Sequence, residues 1–537
     1  MKKLLSFLFG GNSRQQTNGT NPSGNNTTNT NGSTPIGTAP TNDRGSGTID
    51  LMAIDENQSD KCYDCPTDNL IFRSCERNRD VYKRIIKYII KQDSARSSGT
   101  LFADCNDPLL VNYPPVSCSS HTTIIIPSVL VDEDHISSKK LITWGGKKNI
   151  PKSTTSPISK ILNIPEDALL TYYDCGLNMW KYAEQTTQPD TVQRPNPSLF
   201  YHSFTFNPKN NKIYIYGGSS NKQRTSSFLV SNNLFSVSVD SWEWKHYSQP
   251  KVEIHPEDFH YIQQNNIAAI TSLTPVRGHS AIYRSRTNSL VFYAGNLGGT
   301  RLTNDMIEFD CATERWFFIP QHNAVPARAY HNAVYCKSRD WMIVFGGECF
   351  DTNSNRLEIV NEMSIFDFTD RRWTTIKFKG NMREPFSTFG HCTTIIYDRF
   401  VVSYGGCDRE YNPKNQFLII DLVERRWTKL MVDFTPSITD VSAKHILDSS
   451  ANQHLWKMTY SQSLPPLNCS SATFDEETSS LMFFGGYTTS KDKCSSIFRV
   501  RLDLPLISIP RHFKLMDHTI ATFHTETIIS DVTIIFP

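Results

Sequence analysis

The apolar positions of this chain fall into two regimes. From about Ser119 to Leu504 they gather in short β-branched and aromatic runs cut by Gly, Asn, Asp and Ser. Such runs predict strands joined by turns. One earlier stretch, Asp80 to Lys91, sets Val81, Ile85, Ile86, Ile89 and Ile90 against Lys83, Lys87 and Lys91. That spacing predicts a short helix packed on the main domain. Residues 12–48 are almost wholly Asn, Thr, Gly, Ser and Pro. They offer nothing to bury and predict a disordered tail.

The strand-forming part repeats. An apolar run ends in a glycine pair at Gly145-Gly146, Gly217-Gly218, Gly346-Gly347, Gly405-Gly406 and Gly485-Gly486. A degenerate copy reads Tyr293-Ala294-Gly295. The second glycines recur at intervals of 52 to 80 residues, a unit of about 50 residues with insertions. Upstream of each comes a His before small or β-branched residues: His121, His202, His279, His331 and His391, with Ser470 in the last copy. Downstream a run ends in Asp, and a Trp follows six residues later: Asp174/Trp180, Asp310/Trp316, Asp367/Trp373 and Asp421/Trp427. The second copy keeps Trp244 but has Ser238 in place of Asp. Each unit therefore reads as four short strands. The glycines end an inner strand, where a Cβ would clash or forbid the needed φ. The Trp side chains fill the space between units.

This pattern resembles the kelch-repeat β-propellers, from about Ser119 to Leu504. The resemblance implies an all-β fold, a six-bladed kelch-type β-propeller with a disordered N-terminal tail. The expected organisation is a tail at 1–48, an extension at 49–118, the propeller at 119–504 and a C-terminal tail at 505–537. The last unit has a third strand at Ser496 to Asp503 but no Trp after it. Its fourth strand must come from Ile528 to Phe536 or from residues 99–114. The end of the chain, Ser530 to Pro537, also resembles the opening strand of a BTB domain, so it is either a closing strand or the start of such a domain.

Composition narrows the function. Lys+Arg is 55 and Asp+Glu is 53, a formal charge of +2, which argues against a nucleic-acid binder held by phosphate contacts. No apolar run approaches the roughly 18 residues of a membrane span. The 13 cysteines are scattered and odd in number, which suits free thiols in a cytoplasmic protein. Leu4 to Phe9 is shorter than the apolar core of a signal peptide. Cys62 and Cys65 form a lone C-x-x-C, where zinc usually needs two such pairs. The repeated His residues read as one structural slot filled once per blade. No metal and no cofactor are expected.

No G-x-S-x-G, P-loop or H-E-x-x-H motif occurs, and no enzyme is expected. Kelch resemblance implies a protein-binding scaffold or adaptor, of the kind that recruits substrates to a ubiquitin ligase, or an actin- or cytoskeleton-associated protein. The alternative is a galactose-oxidase-like or other carbohydrate-active propeller enzyme, which would need tyrosine, histidine and a cysteine–tyrosine crosslink at the axis. In a four-stranded meander the connections after strands two and four emerge on one face. These are the long ones, and the insertions after Trp244 (245–276) and after Trp427 (434–463) are expected on that face too. Each post-glycine loop carries a base: Lys148, Arg224, Arg301, Arg356, Arg409 and Lys491. The expected partner surface is Arg224, Arg301, Arg356 and Arg409 with Tyr330, Phe350 and Tyr411. It would take a protein or peptide of acidic character.

Overall fold

The computed structural model describes residues 70–74, 86–92, 110–111, 118–127, 139–148, 170–175, 179–183, 193–221, 228–248, 251–360, 362–379, 388–410, 412–423, 425–431, 458–460, 464–476, 478, 480–488, 494 and 497–502. The chain divides at Asp68/Asn69, and every described residue lies in the second unit. Its helical content, among the described residues, is one 3-10 turn, Pro256–Asp258, and one short α-helix, Phe259–Gln264. The rest is β-structure.

Antiparallel meanders follow one another along the chain. The first runs through Thr122–Ile126, Lys140–Trp144, Thr171–Asp174 and Met179–Tyr182. The second runs through Ser203–Asn207, Lys212–Tyr216, Leu234–Ser238 and Trp244–Tyr247. The third comprises Ser280–Arg284, Ser289–Gly298, Arg301–Asp310 and Arg315–Phe318. The fourth comprises Asn332–Cys336, Trp341–Phe345, Met363–Asp367 and Arg372–Lys379. The fifth comprises Phe389–Ile396, Phe400–Cys407, Gln416–Asp421 and Arg426–Met431. The sixth has Ser471–Asp475, Ser480–Phe484 and Ile497–Leu502 in sequence order. The Asp of the unit closes the turn between strands three and four. Its carboxylate accepts the N–H two residues on, from Ala312 to Asp310 (2.8 Å), Thr369 to Asp367 (2.8 Å) and Val423 to Asp421 (2.9 Å).

The residue before each repeated His, or before Ser470, joins a cyclic set of backbone hydrogen bonds. Tyr201 N–H donates to Ser120 O, Gly278 to Tyr201, Tyr330 to Gly278, Gly390 to Tyr330, Cys469 to Gly390, and Ser120 back to Cys469, at 2.7–3.4 Å. All six residues hold left-handed φ of 55–66°. The first strands therefore start side by side around one axis, and the last meander meets the first.

Packing between meanders follows one rule. The aromatic that ends strand two of one meander lies between the His and the Trp of the next. Tyr216 meets His279 (5.3 Å) and Trp316 (5.4 Å). Tyr293 meets His331 (5.5 Å) and Trp373 (4.9 Å). Trp144 meets His202 (5.6 Å) and Trp244 (5.8 Å). Phe484 of the last meander meets His121 (5.2 Å) and Trp180 (5.3 Å) of the first. Phe345 meets His391 (5.2 Å) and shares a core cluster with Trp427. This wedge dictates the glycine pair. At Gly346 (φ +66°) a Cβ would lie 2.7 Å from His391 Cε1 and from Thr388 O; at Gly347 (φ +90°) it would lie 2.8 Å from His331 Cβ. Neither the φ nor the space admits a side chain.

Two expectations about the chain before Ser119 need correction. Ile86–Gln92 is a strand, where the apolar spacing of Asp80 to Lys91 predicts a helix. It pairs antiparallel with Ile497–Leu502 on one side and with Met458–Tyr460 on the other. It is thus the fourth strand of the sixth meander. Residues 99–114 do not fill that place: within them, Leu110–Val111 pairs with Met179–Tyr182 at the edge of the first meander. The other candidate, Ile528 to Phe536, lies outside the described residues. A further strand of the 49–118 extension pairs with the meanders as well. Leu70–Ser74 runs parallel to both Arg372–Lys379 and Arg426–Met431, which joins the fourth and fifth meanders into one nine-stranded sheet.

Ile89→Pro is therefore expected to remove a ladder position from a strand paired on both edges. Stability should fall by about 3 kcal/mol or more, read as a lowered urea midpoint. An unchanged midpoint would place the closing strand elsewhere.

Candidate partner-binding face

The glycine pairs and the axial ring lie at the same end of the meanders. There the residue after each glycine pair bonds back to the residue before the ring. The pairs are Lys147 with Ser119, Ser219 with Phe200, Asn296 with Arg277, Glu348 with Ala329, Cys407 with Phe389, and Tyr487 with Asn468. Beyond this collar three connections among the described residues are paired ribbons, where the sequence suggests wandering loops. Ser219–Asn221 pairs with Phe228–Val230, and Glu348–Asp351 with Arg356–Ile359. In the third meander strands two and three extend into a tip at Gly298/Arg301. These ribbons give the face its relief.

Of the residues expected at the partner surface, Arg301 and Arg356 are exposed on ribbon tips, and Arg409 is 66% exposed, 3.3 Å from Glu358 of the neighbouring ribbon. Phe350 is half-buried on its ribbon. Arg224, Tyr411 and Lys491 lie outside the described residues. Tyr330 is not on the rim. It is a member of the axial ring, its side chain edge-on to Tyr201 (4.8 Å) and over Gly278, where a Cβ would be 2.6 Å from the Tyr330 ring. Burial pushes its phenol up to about 12. Tyr201 and Tyr330 together fill the mouth of the axis.

The insertion after Trp244 is also placed differently from the expectation. After the fourth strand of the second meander the chain lies on the outer edge of the third, with Val252–Ile254 parallel to Arg315–Phe318. That edge leads it to the short-turn face. There Arg371 pairs with Glu257 (2.5 Å) and Asp258, and Tyr261 meets His322 at 3.9 Å. Of the insertion after Trp427, Met458–Tyr460 is described, at the edge of the sixth meander.

Below the ring is an axial cavity of about 160 Å3, lined by the starts of the first strands. The repeated His residues are part of this lining, and their rings pack against aromatics of the preceding meander. Their Nε2 atoms reach hydroxyls of the preceding meander: His279 to Ser203 (3.0 Å), His331 to Ser280 (2.8 Å) and His121 to Ser471 (3.0 Å). Desolvation holds His279 down at about 3 and His391 at about 4, and His331 well below its ordinary value. The Tyr201 hydroxyl does stand 4.0 Å from Cys469 Sγ at the axis. A copper centre of the galactose-oxidase kind nevertheless does not fit. The imidazoles serve the meander contacts, and among the described residues no three His, Cys, Asp or Glu side chains come together as ligands.

The buried charges of the collar were not anticipated from the sequence. Glu348 is 3% exposed, its Oε2 accepts no hydrogen bond, and burial raises its carboxyl to about 7. Arg328 is fully buried, 3.5 Å from Glu362, and Arg277 is buried beside Tyr330. The available signal was register: Glu348 occupies the position that Lys147, Ser219, Asn296, Cys407 and Tyr487 hold in the other copies.

A ring of antiparallel meanders with a Gly-Gly at strand two, and His and Trp wedged on the preceding aromatic, is the arrangement that the resemblance to kelch-repeat propellers implies. Comparison with known proteins agrees over part of the chain: residues 263–447 match the family model described as the KLHDC2/KLHL20/DRC7 Kelch-repeats domain. A curated relative, the Leucine-zipper-like transcriptional regulator 1 homolog of Drosophila melanogaster, is 26% identical over 141 residues. That match covers 26% of this chain and 14% of the relative. The solved structure described as "Structure of YjhT" is similar at 12% identity and a TM-score of 0.44, covering 71% of this chain and 94% of that one. No helix among the described residues is long and apolar enough to cross a membrane.

Two pH effects of opposite sign follow. His279, His331 and His391 are held neutral when folded by desolvation but bind protons near pH 6.5 when unfolded. Stability should therefore fall as pH drops from 6.5 towards 4, by up to about 1.4 kcal/mol per pH unit for each. His391→Gln should flatten that slope in urea titrations. Glu348 works the other way. Its folded value is raised above the unfolded one, so the native state loses stability as pH rises from about 4.5 to about 7. Glu348→Gln should raise the melting temperature at pH 8 and leave it nearly unchanged at pH 4.5. A gain of the same size at both would show that ionisation is not the cause.

Proposed function

We propose that this chain is a six-bladed kelch-type propeller that acts as a scaffold, binding a protein or peptide partner on its ribbon-bearing face. The observation that carries this reading is the arrangement of that face. Paired ribbons project from a ring closed by backbone hydrogen bonds, and they hold Arg301 and Arg356 out in solvent with Arg409 beside them. Binding residues on loops gain from a rigid base, because less entropy is lost on docking. Exposed guanidinium groups favour carboxylates and phosphates, so the partner segment is acidic. The proposed surface also takes in Phe350 and, at the axis, Tyr330; Arg224 and Tyr411, which the repeat pattern adds to it, lie outside the described residues.

The wider role is that of an adaptor in the cytoplasm, presenting a bound protein to a second one. Recruitment of substrates to a ubiquitin ligase is one form of this role and attachment to the cytoskeleton another. The kelch match over residues 263–447 and the similarity to a leucine-zipper-like regulator support a protein-interaction role in general.

The test is charge reversal at the tips. Arg301→Glu, Arg356→Glu and Arg409→Glu together should abolish capture of the partner in pull-downs while the melting temperature stays at the parental value. Capture that survives this change but is lost with Arg371→Glu and Arg425→Glu would move the binding face to the short turns.

A further inference from the structure

The insertion between the second and third meanders does more than connect them. It walls a cleft of about 720 Å3 on the short-turn side, within the size range of sites that take small molecules or peptide side chains. The insertion contributes His255, Glu257, Asp258 and Tyr261; the third meander contributes Arg284, Glu308 and Asp310; the turn Thr369 to Arg371 of the fourth closes it. None of these residues lies on the ribbons.

The lining has two characters. Phe317, Ile319 and Phe368 are buried and form an apolar floor. Around it stand five carboxylates, those of Glu257, Asp258, Glu308, Asp310 and Asp370, against two guanidinium groups, Arg284 and Arg371. Both guanidiniums are already engaged. Arg284 lies over the Phe368 ring at 4.3 Å and forks onto Asp340 at 2.9 and 2.6 Å, and Asp340 is a further acid behind the lining. Arg371 is held by Glu257 and Asp258. Asp340 is shared with Arg286 as well (3.7 Å), so it adds nothing to the rim; the lining itself carries five carboxylates against two guanidiniums, an acidic excess that favours a cationic ligand. The walls are also preset: His255 stacks on Phe317 at 3.9 Å, and Tyr261 on His322 at 3.9 Å. Little ordering would be needed when a ligand enters.

We propose that this cleft is a second binding site, for a basic peptide segment. A Lys or Arg side chain would lay its methylene stem on the Phe317–Ile319–Phe368 floor and bring its charge to the carboxylate rim. Long cationic side chains divide in this way between apolar surface and a polar edge. The ligand is opposite in charge to the acidic partner of the ribbon face, and the two sites stand or fall separately.

The probe is a short fluorescein-labelled peptide carrying Lys-Leu-Lys in a Gly/Ser frame, titrated with the full chain at low salt and read by anisotropy. Saturable binding is expected. Acetylation of the lysines should remove it, and Asp370→Lys, at an exposed rim position, should weaken it roughly fivefold or more. Thr369→Trp, also exposed, should block the opening without altering charge. The two variants touch no core contact, so each is checked by an unchanged melting temperature, and one suffices if the other fails to fold. The triple ribbon-tip reversal should leave this binding intact. No saturable binding, equal binding of the acetylated peptide, or binding indifferent to both rim variants would each overturn the proposal.

Discussion

Everything in this molecule hangs on the ring of six backbone hydrogen bonds at the axis. Four of its members, Ser120, Tyr201, Tyr330 and Cys469, hold left-handed φ although they carry a Cβ. Such a conformation costs on the order of 1 kcal/mol or more each. A net hydrogen bond returns about as much. The ring alone is therefore close to neutral, and the surplus comes from what it positions. By turning the backbone at that point it aims the following His between two meanders, against the preceding aromatic. The Trp of the same meander then closes on the other side of that aromatic.

Once the His is placed, the rest of the repeat has little freedom. Strand two of the fourth meander must end in glycine, because His391 Cε1 and Thr388 O already occupy the place of a Cβ on Gly346, whereas the third copy holds Ala294 there at φ 58°. The imidazole must stay neutral, because it is fully desolvated and bonded to a hydroxyl, as at His279. The last meander shows how the scheme tolerates change. Ser470 replaces His, and the Tyr404 hydroxyl compensates by donating to the Leu464 and Pro465 carbonyls (3.2 and 2.7 Å). Its fourth strand is supplied from before the first meander, so the two ends of the repeat region are joined within one sheet.

The two faces differ for a related reason. At the ring end the chain leaves each glycine pair through a collar of bridges, and its free length then folds into ribbons. At the other end the turns between strands three and four are short among the described residues, three of them capped by Asp310, Asp367 and Asp421. The insertion after Trp244 adds relief to this face by running down the outer edge of the third meander. It docks through the Val252–Ile254 ladder, through Val252, Ile262, Leu273 and Val276 packed into the core of the third meander, and through the ion pairs Glu253–Arg315 and Glu257–Arg371. That mixture of rigid turns and an ion-paired wall creates a large polar cleft on a face that chain connectivity alone would have left bare.

The repeat was legible in the residues because each mark answers to a steric need that recurs from copy to copy: Gly where no Cβ fits, Asp where a turn needs an acceptor, His and Trp where adjacent meanders must interlock. Strand order within a unit followed from the same marks. Three features were settled only by tertiary structure. Ile86–Gln92 has apolar residues at a spacing that suits either a helix or a strand, and its pairing with Ile497–Leu502, far away in sequence, decided for the strand. Tyr330 looked like a loop aromatic, yet its register in the axial ring turned it inward. The insertion after Trp244 begins at one face and docks at the other, because the open edge of Arg315–Phe318 offered it hydrogen-bond partners. Local sequence determines which conformations and contacts a segment can make. Which it does make depends on the partners the closed ring brings within reach, and those come from distant parts of the chain.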